Sequence, residues 1–334
     1  MRALVMDGYG GPEQTAIRDV PRPEPAAGEV LVKVQAAGLN PVDYKTRDGK
    51  LRMIQGYDMP QVMGNELAGF VEKTGHDAGR FSAGDRVFAR VAKDRLGALA
   101  EYAIVDTEHL APIPPSLDFH EAAVIPLAGL TALQALRDEL ALAPGQHVFI
   151  SAGAGGVGTF AIQIAKWLGA RVTTTASPRG RDLVLRMGAD RVIDYTAHDF
   201  TEDLRDVDAA FDLVGGETLS RMLGIVKRGG KVVSIAGIPE PTTARKDLDK
   251  GFPLTALFWL ASLKPRIEAK RHGVTYRFLF MRPSGSELAE LADLAEDGRL
   301  TPVIDRTFPF AKAKEAMAYL EKGHVKGKVV VTMD

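Results

Sequence analysis

Residues 147–158 read His-Val-Phe-Ile-Ser-Ala-Gly-Ala-Gly-Gly-Val-Gly, and this stretch decides the fold class of the chain. A short β-branched and aromatic run leads into glycines spaced as G-x-G-x-x-G, and an apolar helical segment follows from Thr159. Between a strand and a helix, that spacing is typical of a turn that holds a dinucleotide pyrophosphate at the helix N-terminus. Glycine-rich turns also join strands to helices in proteins that bind no nucleotide. The residues that we predict to contact a dinucleotide here are Gly153, Gly155, Gly156, Val157 and Gly158.

The residues after the next strand favour a phosphorylated dinucleotide. An NAD site usually carries an acidic residue about 20 residues past the first glycine, whereas residues 171–181 contain no carboxylate. Ser177, Arg179 and Arg181 stand in that place, and a charge-assisted hydrogen bond to a 2′-phosphate contributes on the order of 1.5–3 kcal/mol. We therefore predict NADP(H) as the cofactor. The alternative is that both arginines are solvated residues at the start of a helix.

Length and composition narrow the class of protein. The chain has 334 residues, enough for two domains, and its 46% apolar and 25% charged residues are typical of a globular protein. A net charge of −1 offers no electrostatic reason to expect nucleic acid or anionic lipid as a partner. The absence of cysteine excludes disulfides, thiolate metal sites and a cysteine nucleophile. We expect a small-molecule substrate as the partner.

The hydrophobic runs predict neither export nor a membrane span. The first ten residues lack the apolar run of a signal peptide, so a cytoplasmic location is the default expectation. The longest apolar stretch, about 252–263, is far shorter than the ~20 residues of a spanning helix. A basic stretch follows at 264–271. We interpret it as a solvated helix face or, alternatively, as a surface for an acidic substrate such as a CoA thioester.

The hydrophobic period changes along the chain and predicts two domains. Short strands punctuated by glycines in the first ~115 residues predict a barrel-like or partly open β domain. From residue 147 strands and helices alternate, which predicts a parallel sheet covered by helices on both faces. The predicted elements of this part are 147–151, 157–168, 171–175, 180–187, 191–194, 208–214, 217–227 and 231–236. Helices at 287–296 and 313–321 and a strand at 328–332 are expected to return to the first domain.

Several short motifs occur in a fixed order along nearly the whole chain. They lie at 37–43, 64–69, 83–87, 126–132, 153–158, 185–190, 193–195 and 327–330. In this order they resemble the medium-chain dehydrogenase/reductase superfamily, in its zinc-independent quinone oxidoreductase-like branch, which includes zeta-crystallins and plant enone reductases. The resemblance implies an α/β protein with a GroES-like, partly open β-barrel domain at 1–118 and 282–334, and a doubly wound Rossmann domain with a parallel sheet at 119–281. It also implies a homodimer.

Some positions depart from the zinc-dependent relatives. Where those have Cys, His and Cys as zinc ligands, this chain has Asn40, Asn65 and Leu127. Amide and alkyl groups are not the ligands that Zn²⁺ prefers, and none of the seven histidines has a partner at metal-ligand spacing. No metal is therefore predicted. Glu66 matches a carboxylate beside the zinc of those relatives and is interpreted here as a structural ion-pair partner.

The predicted reaction follows from the predicted lack of a metal. Without a Lewis acid an isolated ketone is hard to reduce, whereas a conjugated acceptor delocalises the incoming charge as an enolate. We predict an NADPH-dependent oxidoreductase that transfers a hydride to a quinone or an α,β-unsaturated carbonyl compound. Two-electron reduction of an activated C=C bond and one-electron reduction of a quinone both stay open. The alternative function is an NADPH-binding redox-sensing or structural protein with little turnover.

The predicted catalytic residues are Asn40, Asp43 and Tyr57. By the resemblance, Asn40 lies near the nicotinamide, although an asparagine in this place also serves as a helix N-cap. Asp43 is predicted to orient Asn40 or a water, or only to favour the first helical turn. Tyr57 is a candidate proton donor, as are Tyr44 and Lys45, and water is the alternative donor.

Further cofactor contacts are expected at the carboxyl ends of predicted strands, where open α/β sheets bind ligands. The backbones of loops 213–216 and 235–238 are expected to border the nicotinamide ribose. Phe280 and Met281 are interpreted as a wall of the nicotinamide pocket or as plain core residues. The resemblance adds Thr131 at the nicotinamide end and Tyr195 near the adenosine phosphate. The predicted contacts outside the glycine turn and its phosphate site are Asn40, Thr131, Tyr195, Val214, Gly215, Ala236, Gly237, Phe280, Met281 and Lys328.

Overall fold

The computed structural model describes residues 1–333, which divide into two compact units. The first unit comprises residues 1–130 and 283–333, and the second comprises Thr131–Arg282. The C-terminal segment thus belongs with the N-terminal part of the chain. The sequence predicts the same pairing of segments but places the first boundary earlier, after residue 118.

Strands and short helices alternate along the described residues. In chain order the strands are β1 (Arg2–Met6), β2 (Thr15–Asp19), β3 (Glu29–Leu39), β4 (Gln61–Val62), β5 (Glu66–Thr74), β6 (Arg86–Arg90), β7 (Tyr102–Asp106), β8 (Leu110–Pro112), β9 (His147–Ile150), β10 (Arg171–Ala176), β11 (Arg191–Asp194), β12 (Val207–Asp212), β13 (Val226–Ser234), β14 (Thr275–Phe278), β15 (Ile304–Pro309) and β16 (Lys328–Thr332). The α-helices are α1 (Pro41–Arg47), α2 (Phe119–Ala123), α3 (Pro126–Leu133), α4 (Gly156–Trp167), α5 (Arg181–Arg186), α6 (Phe200–Asp203), α7 (Gly216–Ile225), α8 (Phe252–Ala261), α9 (Leu263–His272), α10 (Gly285–Glu296) and α11 (Ala313–Glu321). Residues Gln134–Glu139 and Thr243–Asp247 form short π-helical turns.

The second unit contains a parallel sheet with the strand order β11-β10-β9-β12-β13-β14. This is the order of the doubly wound Rossmann fold, in which the chain reverses its direction of winding next to the first strand. Buried side chains such as Phe149, Met222 and Val232 form its core. The strand and helix rhythm read from residue 147 onward predicts this architecture, and the structure confirms it.

The edge strand β14 was not predicted from the sequence, because a charged residue lies within it. Arg277 pairs in register with Val233 of β13 and is buried. Its guanidinium is neutralised by ion pairs with Glu139, Glu240 and Asp247. A buried arginine with carboxylate partners interrupts the apolar pattern that normally indicates a strand.

The first unit is built on a seven-stranded sheet in which β15, β16, β3, β5, β6 and β8 are neighbours in that order and β7 also pairs with β3. A second sheet has the order β2-β1-β4. The alternating apolar residues of β3, among them Val30, Val32 and Val34, enter a core that also contains Val329 and Val331 of the C-terminal strand. Burial of β16 against β3 explains why the chain end belongs to this unit.

Helix α2 belongs to the first unit, contrary to the predicted boundary. It begins with a capping box in which the Glu121 main-chain N–H donates to Asp118 Oδ1 at 2.8 Å. At its other end it packs so closely on β3 that a Cβ added at Gly38 would lie 2.6 Å from Ala123 O. Helical periodicity shows that a helix forms here but not which sheet it packs on, so the boundary moves to Thr131.

None of the helices within residues 1–333 has both the length and the hydropathy that a bilayer-spanning segment requires.

Candidate functional site

The glycine turn between β9 and α4 brings backbone segments close together. A Cβ added at Gly153 would overlap Thr174 Oγ1 of β10, and one at Gly158 would overlap Ala152 O. At Gly155, which directly precedes α4, the nearest atom to an added Cβ is Ala152 O at 3.3 Å. The outer two glycines therefore serve close packing, and the middle one is less tightly enclosed. The first amides of a helix have no intrahelical acceptor, so this turn fits a pyrophosphate.

A cavity of about 430 Å³ opens beside the turn, at the carboxyl ends of β9 to β12. The Ala152 main-chain N–H donates to Thr175 Oγ1 at 2.9 Å, which ties the turn to the end of β10. Small-molecule sites commonly measure ~300–1,000 Å³, so the cavity fits a nucleoside. It is lined by Ala152, Thr175, Tyr195, His198, Asp199, Phe200, Val214, Glu217, Thr218 and Arg221. Tyr195 and Val214 were predicted from sequence, and the others were missed. For Ala152, His198 and Asp199 the position after a strand was a usable signal, whereas Thr175 lies within β10 and Glu217, Thr218 and Arg221 lie on α7.

The residues predicted to select the phosphate lie on a turn that touches the glycine turn. Pro178–Gly180 is one turn of 3₁₀-helix that follows Ser177. A Cβ added to the glycine of this turn would lie 2.9 Å from Ala154 Cβ, so the two turns are in contact. Arg179 and Arg181 are exposed on it. The structure therefore brings the predicted phosphate residues and the predicted pyrophosphate residues to adjoining turns.

A buried carboxylate organises the loop after β12. Asp212, the last residue of β12, is fully buried, and its Oδ1 accepts from the main-chain N–H groups of Val214 at 3.0 Å and Gly215 at 2.9 Å. Gly215 has a φ of +79°, and a Cβ there would overlap Ala236 O. Sequence analysis named the loop but missed the aspartate, because a strand-terminal acidic residue looks like an ordinary exposed one.

The loop after β13 is held by two side chains. Ser234 Oγ donates to Asp212 Oδ2 at 2.6 Å and accepts from the main-chain N–H of Gly237 at 2.7 Å and of Ala236 at 3.1 Å. The Tyr276 hydroxyl donates to Ile238 O at 2.7 Å and accepts from the Ile238 N–H at 3.0 Å. Burial raises the pKa of Tyr276, so the phenol stays neutral and keeps this donor. The backbones of Ala236 and Gly237 are thus fixed in place.

Three further predicted contacts belong to the second unit. Thr131 and Met281 are buried, and Phe280 is partly buried against the core of this unit. The Phe280 main-chain N–H donates to Asp247 Oδ2 at 2.9 Å. Core packing accounts for these side chains without a ligand, so their contact with a nicotinamide stays a prediction.

A group of buried polar side chains lies at the end of β3 in the first unit. Its members, called the polar cluster below, are Asn40, Asp43, Asn65, Glu66 and Lys328, each at most 3% exposed. Strand register brings them together from distant parts of the chain. Val329 of β16 pairs with Leu39 of β3, and Glu66 of β5 pairs with Gly38. Asn40 and Lys328, each next to a residue of the first pair, therefore lie close to Glu66.

Lys328 supplies the positive charge of the polar cluster. Its Nζ donates to Leu39 O at 3.0 Å, to Glu66 Oε1 at 2.7 Å and to Asn40 Oδ1. An ammonium has three N–H donors, and each has a protein acceptor here. The expected structural role of Glu66 as an ion-pair partner is confirmed by this pair. Direct contact of Lys328 with a cofactor stays a prediction, since its donors already point into the protein.

The amide of Asn40 is held in one orientation. Its Oδ1 accepts from Lys328, and its Nδ2 donates to Glu66 Oε1 at 2.7 Å. The second oxygen of Glu66 accepts from the Leu127 main-chain N–H at 2.6 Å. An amide nitrogen carries two N–H donors, so one donor of Asn40 remains for a ligand while the other is bound to Glu66.

Asp43 fixes the backbone of Asn40. Asp43 Oδ2 accepts from the Asn40 main-chain N–H at 2.7 Å, as in the second half of a capping box, and Oδ1 accepts from Asn65 Nδ2 at 2.6 Å. Burial raises the pKa of Asp43 to about 6 despite these two donors. The hydrogen bond to the Asn40 N–H fits both predicted roles of Asp43, since it fixes the backbone of Asn40 and also caps the first turn of α1. A catalytic role of Asp43 stays a prediction.

Arg90 and Tyr57 interact electrostatically with Asp43 of the polar cluster. Burial lowers the pKa of Arg90, while the negative charges of Asp43 and Glu66 oppose this shift. Arg90 Nη1 donates to Val91 O, but its buried Nε has no acceptor. An unsatisfied buried donor costs on the order of 1–3 kcal/mol, which makes Arg90 a candidate ligand contact that sequence analysis missed.

The hydroxyl of Tyr57 is engaged with the protein. It donates to Lys93 O at 2.7 Å, and burial raises the pKa of Tyr57 to about 12. A phenol with this pKa keeps its proton near neutral pH. Proton donation by Tyr57 stays a prediction, and it would require the hydrogen bond to Lys93 to break.

No three histidine or acidic side chains within residues 1–333 converge in a geometry that could hold a metal ion. Asn40 and Asn65, which the resemblance matches to zinc ligands of relatives, are bonded within the polar cluster. Leu127 stands at the third such position.

Comparison with known proteins identifies the family of this chain. A family model described as an alcohol dehydrogenase GroES-like domain matches residues 26–115, and one described as a zinc-binding dehydrogenase matches residues 187–331. A mitochondrial NAD(P)H oxidoreductase of Danio rerio is 36% identical over 91% of this chain and 84% of its own length. A chloroplastic NADPH-dependent alkenal/one oxidoreductase of Arabidopsis thaliana is 36% identical over 99% of this chain and 79% of its own length. The chain belongs to the quinone oxidoreductase-like branch of the medium-chain dehydrogenase/reductase superfamily.

Solved structures of this superfamily include close matches in fold. The quinone oxidoreductase of Coxiella burnetii superposes with a TM-score of 0.86 at 33% identity, covering 100% of this chain and 99% of that one. The predicted family and the predicted pairing of a GroES-like domain with a Rossmann domain are thus confirmed. The protein is an oxidoreductase of this superfamily, with a nicotinamide dinucleotide as its cofactor. The homodimer stays a prediction.

Proposed function

We propose that this protein is an NADPH-dependent reductase of quinones or α,β-unsaturated carbonyl compounds that works without zinc. The proposal goes further than membership of the superfamily in three respects: the phosphorylated cofactor, the class of acceptor and the absence of a metal.

The choice of NADPH is supported by the turn at 177–181. It adjoins the glycine turn, carries Arg179 and Arg181 on its exposed side and contains no carboxylate. A 2′-phosphate is stabilised by such donors, whereas the acidic residue of an NAD site would repel it. The relative from Arabidopsis thaliana is named for NADPH dependence, which is consistent with this assignment.

The choice of a conjugated acceptor rests on the observation that carries the proposal: the polar cluster is a hydrogen-bonded network with its own cation. Lys328, Asn40 and Glu66 are bonded to one another, and by the resemblance Asn40 stands at a metal-ligand position of the zinc-dependent relatives. A carbonyl reduced there receives hydrogen bonds but no Lewis acid, so the acceptor must spread its developing charge over a conjugated system. Quinones and enones both do so.

Bound NADPH supplies the hydride, which adds to the β-carbon of an enone or to a quinone. The protein's own groups then act on the charge that develops on the acceptor oxygen. We propose that Asn40 donates its remaining N–H to this oxygen or to the cofactor, with Lys328 and Glu66 preventing the amide from flipping. Protonation of the enolate by water or by a protein group would complete the two-electron reduction.

The test is a comparison of acceptors under one set of conditions. NADPH oxidation is followed with a quinone such as menadione, an enone such as 3-buten-2-one, and its saturated counterpart 2-butanone. We expect turnover with the quinone, the enone or both, and at least a hundredfold lower kcat/KM for 2-butanone. Turnover confined to 2-butanone, or turnover abolished by removing tightly bound zinc, would contradict the proposal. NADPH binding without turnover of any acceptor would favour a binding or sensing protein instead.

A further inference from the structure

An apolar helix of the second unit lies open to solvent. On α8, Phe252 is 82% exposed, Leu260 60% and Trp259 47%, and only Phe258 of this helix is buried. Among residues 1–333, five of the ten large apolar side chains that are exposed fall between positions 252 and 267. Such a concentration is uncommon on a protein surface that meets only water.

Basic side chains border this apolar surface. Exposed or partly exposed cations precede α8 and follow it along α9: Lys250, Lys264, Arg266, Lys270 and Arg271. Residues 250–271 contain one acidic residue, Glu268, whose carboxylate accepts from Ser220 Oγ, and the exposed Asp249 directly precedes Lys250. The Arg266 guanidinium lies over the ring of Trp259, 5.9 Å from its centroid, so at this point the basic residues of α9 adjoin the apolar residues of α8.

A second copy of this chain is a poor occupant of the surface. A twofold interface places the same patch on both subunits. Five basic side chains would then face five identical ones, and like charges brought together in an interface are unfavourable. The charge of the segment instead complements an anionic partner, which the overall net charge of −1 conceals.

The combination of side chains fits a lipid surface. Amphipathic tryptophan and large aliphatic groups enter the boundary between headgroups and acyl chains, while lysine and arginine contact anionic headgroups. Helix α8 has ten residues, too few to span a bilayer but enough to lie in its surface. We propose that α8 and α9 dock this protein peripherally on membranes that contain anionic phospholipid.

The experiment uses the full chain and large unilamellar vesicles. Flotation is measured with vesicles of phosphatidylcholine alone and with vesicles in which part of it is replaced by phosphatidylglycerol. The apolar variant is Phe252→Ser with Leu260→Ser, and the basic variant replaces Lys264, Lys270 and Arg271 by Gln. Matched controls are Met53→Ser, which changes another exposed apolar residue, and a triple change of Lys33, Arg299 and Lys322 to Gln.

We expect the wild-type protein and both controls to float with the anionic vesicles and to bind neutral vesicles at least tenfold more weakly. Each α8 or α9 variant should lose at least tenfold of its partition coefficient for anionic vesicles. Because the substituted side chains are exposed, circular dichroism should be unchanged. Equal flotation of wild type and variants, or no binding of the wild type to anionic vesicles, would overturn the proposal.

Tryptophan fluorescence provides an independent readout. The chain has two tryptophans, Trp167 and Trp259. In a Trp167→Phe background, we expect the emission of Trp259 to shift to the blue on addition of anionic vesicles and to be quenched by brominated lipid. If vesicles leave the emission unchanged while Phe252→Ser with Leu260→Ser converts a dimer to a monomer in sedimentation velocity, the surface is a subunit interface and the proposal fails.

Discussion

Replacing Lys328 by methionine should destabilise the first unit far more than the loss of a surface ion pair. The substitution keeps an unbranched side chain one heavy atom shorter but removes an ammonium that is 3% exposed and lies 2.7 Å from the fully buried carboxylate of Glu66. It also removes the donor that faces Asn40 Oδ1 and Leu39 O. Breaking a buried pair on one side leaves an uncompensated charge and costs on the order of 3–5 kcal/mol, whereas an exposed pair contributes about 0–1 kcal/mol.

The assay must report on the first unit, because both tryptophans lie in the second. Hydrogen–deuterium exchange of peptides from β3 and β16 under increasing urea measures the local free energy of opening. The double variant Lys328→Met with Glu66→Gln removes both charges, so we expect it to be less destabilised than the sum of the two single variants. Arg18→Met is the matched control, since it breaks an exposed pair with Asp7 in the same unit.

A cost of less than about 1 kcal/mol for Lys328→Met would refute the reasoning, because that is the value for a solvated pair. Additive effects of the two single variants would likewise show that the two charges do not interact. A positioning role for Lys328 also predicts a lower kcat with little change in the Kd for NADPH, whereas purely structural damage would leave the kcat of the folded fraction unchanged.

Three further predictions concern the cofactor site and the buried aspartate. Arg179→Ala with Arg181→Ala should lower the preference for NADPH over NADH at least tenfold in kcat/KM, because two charge-assisted hydrogen bonds are lost. The control Arg186→Ala, on the same helix as Arg181, should leave this preference unchanged. An unchanged preference in the double variant would place the phosphate elsewhere. Gly158→Ala should raise the Kd for NADPH and destabilise the second unit by about 1–3 kcal/mol, since the new methyl would overlap a carbonyl oxygen. Calorimetry measures the Kd, and tryptophan fluorescence during unfolding measures the stability. A wild-type Kd would contradict the assigned packing. The pKa of Asp43 is raised to about 6 in the folded protein, so the folded state binds this proton more tightly than the unfolded state. The contribution of Asp43 to stability is therefore greatest below about pH 4 and falls as the pH rises to about 6, by about 1.4 kcal/mol per unit of pKa shift. Urea unfolding across this range should show a flatter pH profile for Asp43→Asn than for the wild type, and identical profiles would contradict the shift.

Local sequence was enough to predict the parallel sheet and its cofactor turn. The strand before residue 151, the spacing of Gly153, Gly155 and Gly158, and the helix that follows are contiguous, so one short window contains the whole signal. The arginines at 179 and 181 were found in the same way, by their distance along the chain from the first glycine. Predictions of this kind need no knowledge of long-range packing.

The contacts of the polar cluster could not be predicted from local pattern. Lys328 meets Asn40 and Glu66 only because β16 and β5 pair with β3 in one register, and a shift by one residue would turn each side chain to the other face. Asp212 and Arg90 were missed because burial, not residue type, separates them from the many exposed acids and arginines. The basic surface of α9 was recognised as a run of charge, but only the exposure of α8 beside it suggests a partner.

The most direct test of the central claim is the fate of a labelled hydride. An enone is reduced with NADPH that carries deuterium at the transferable C4 position, and the product is examined by mass spectrometry and NMR. The account predicts one deuterium at the β-carbon of the saturated ketone and an unlabelled proton from solvent at the α-carbon. Deuterium at the carbonyl carbon of an alcohol product, or no transfer from NADPH to any conjugated acceptor, would contradict it.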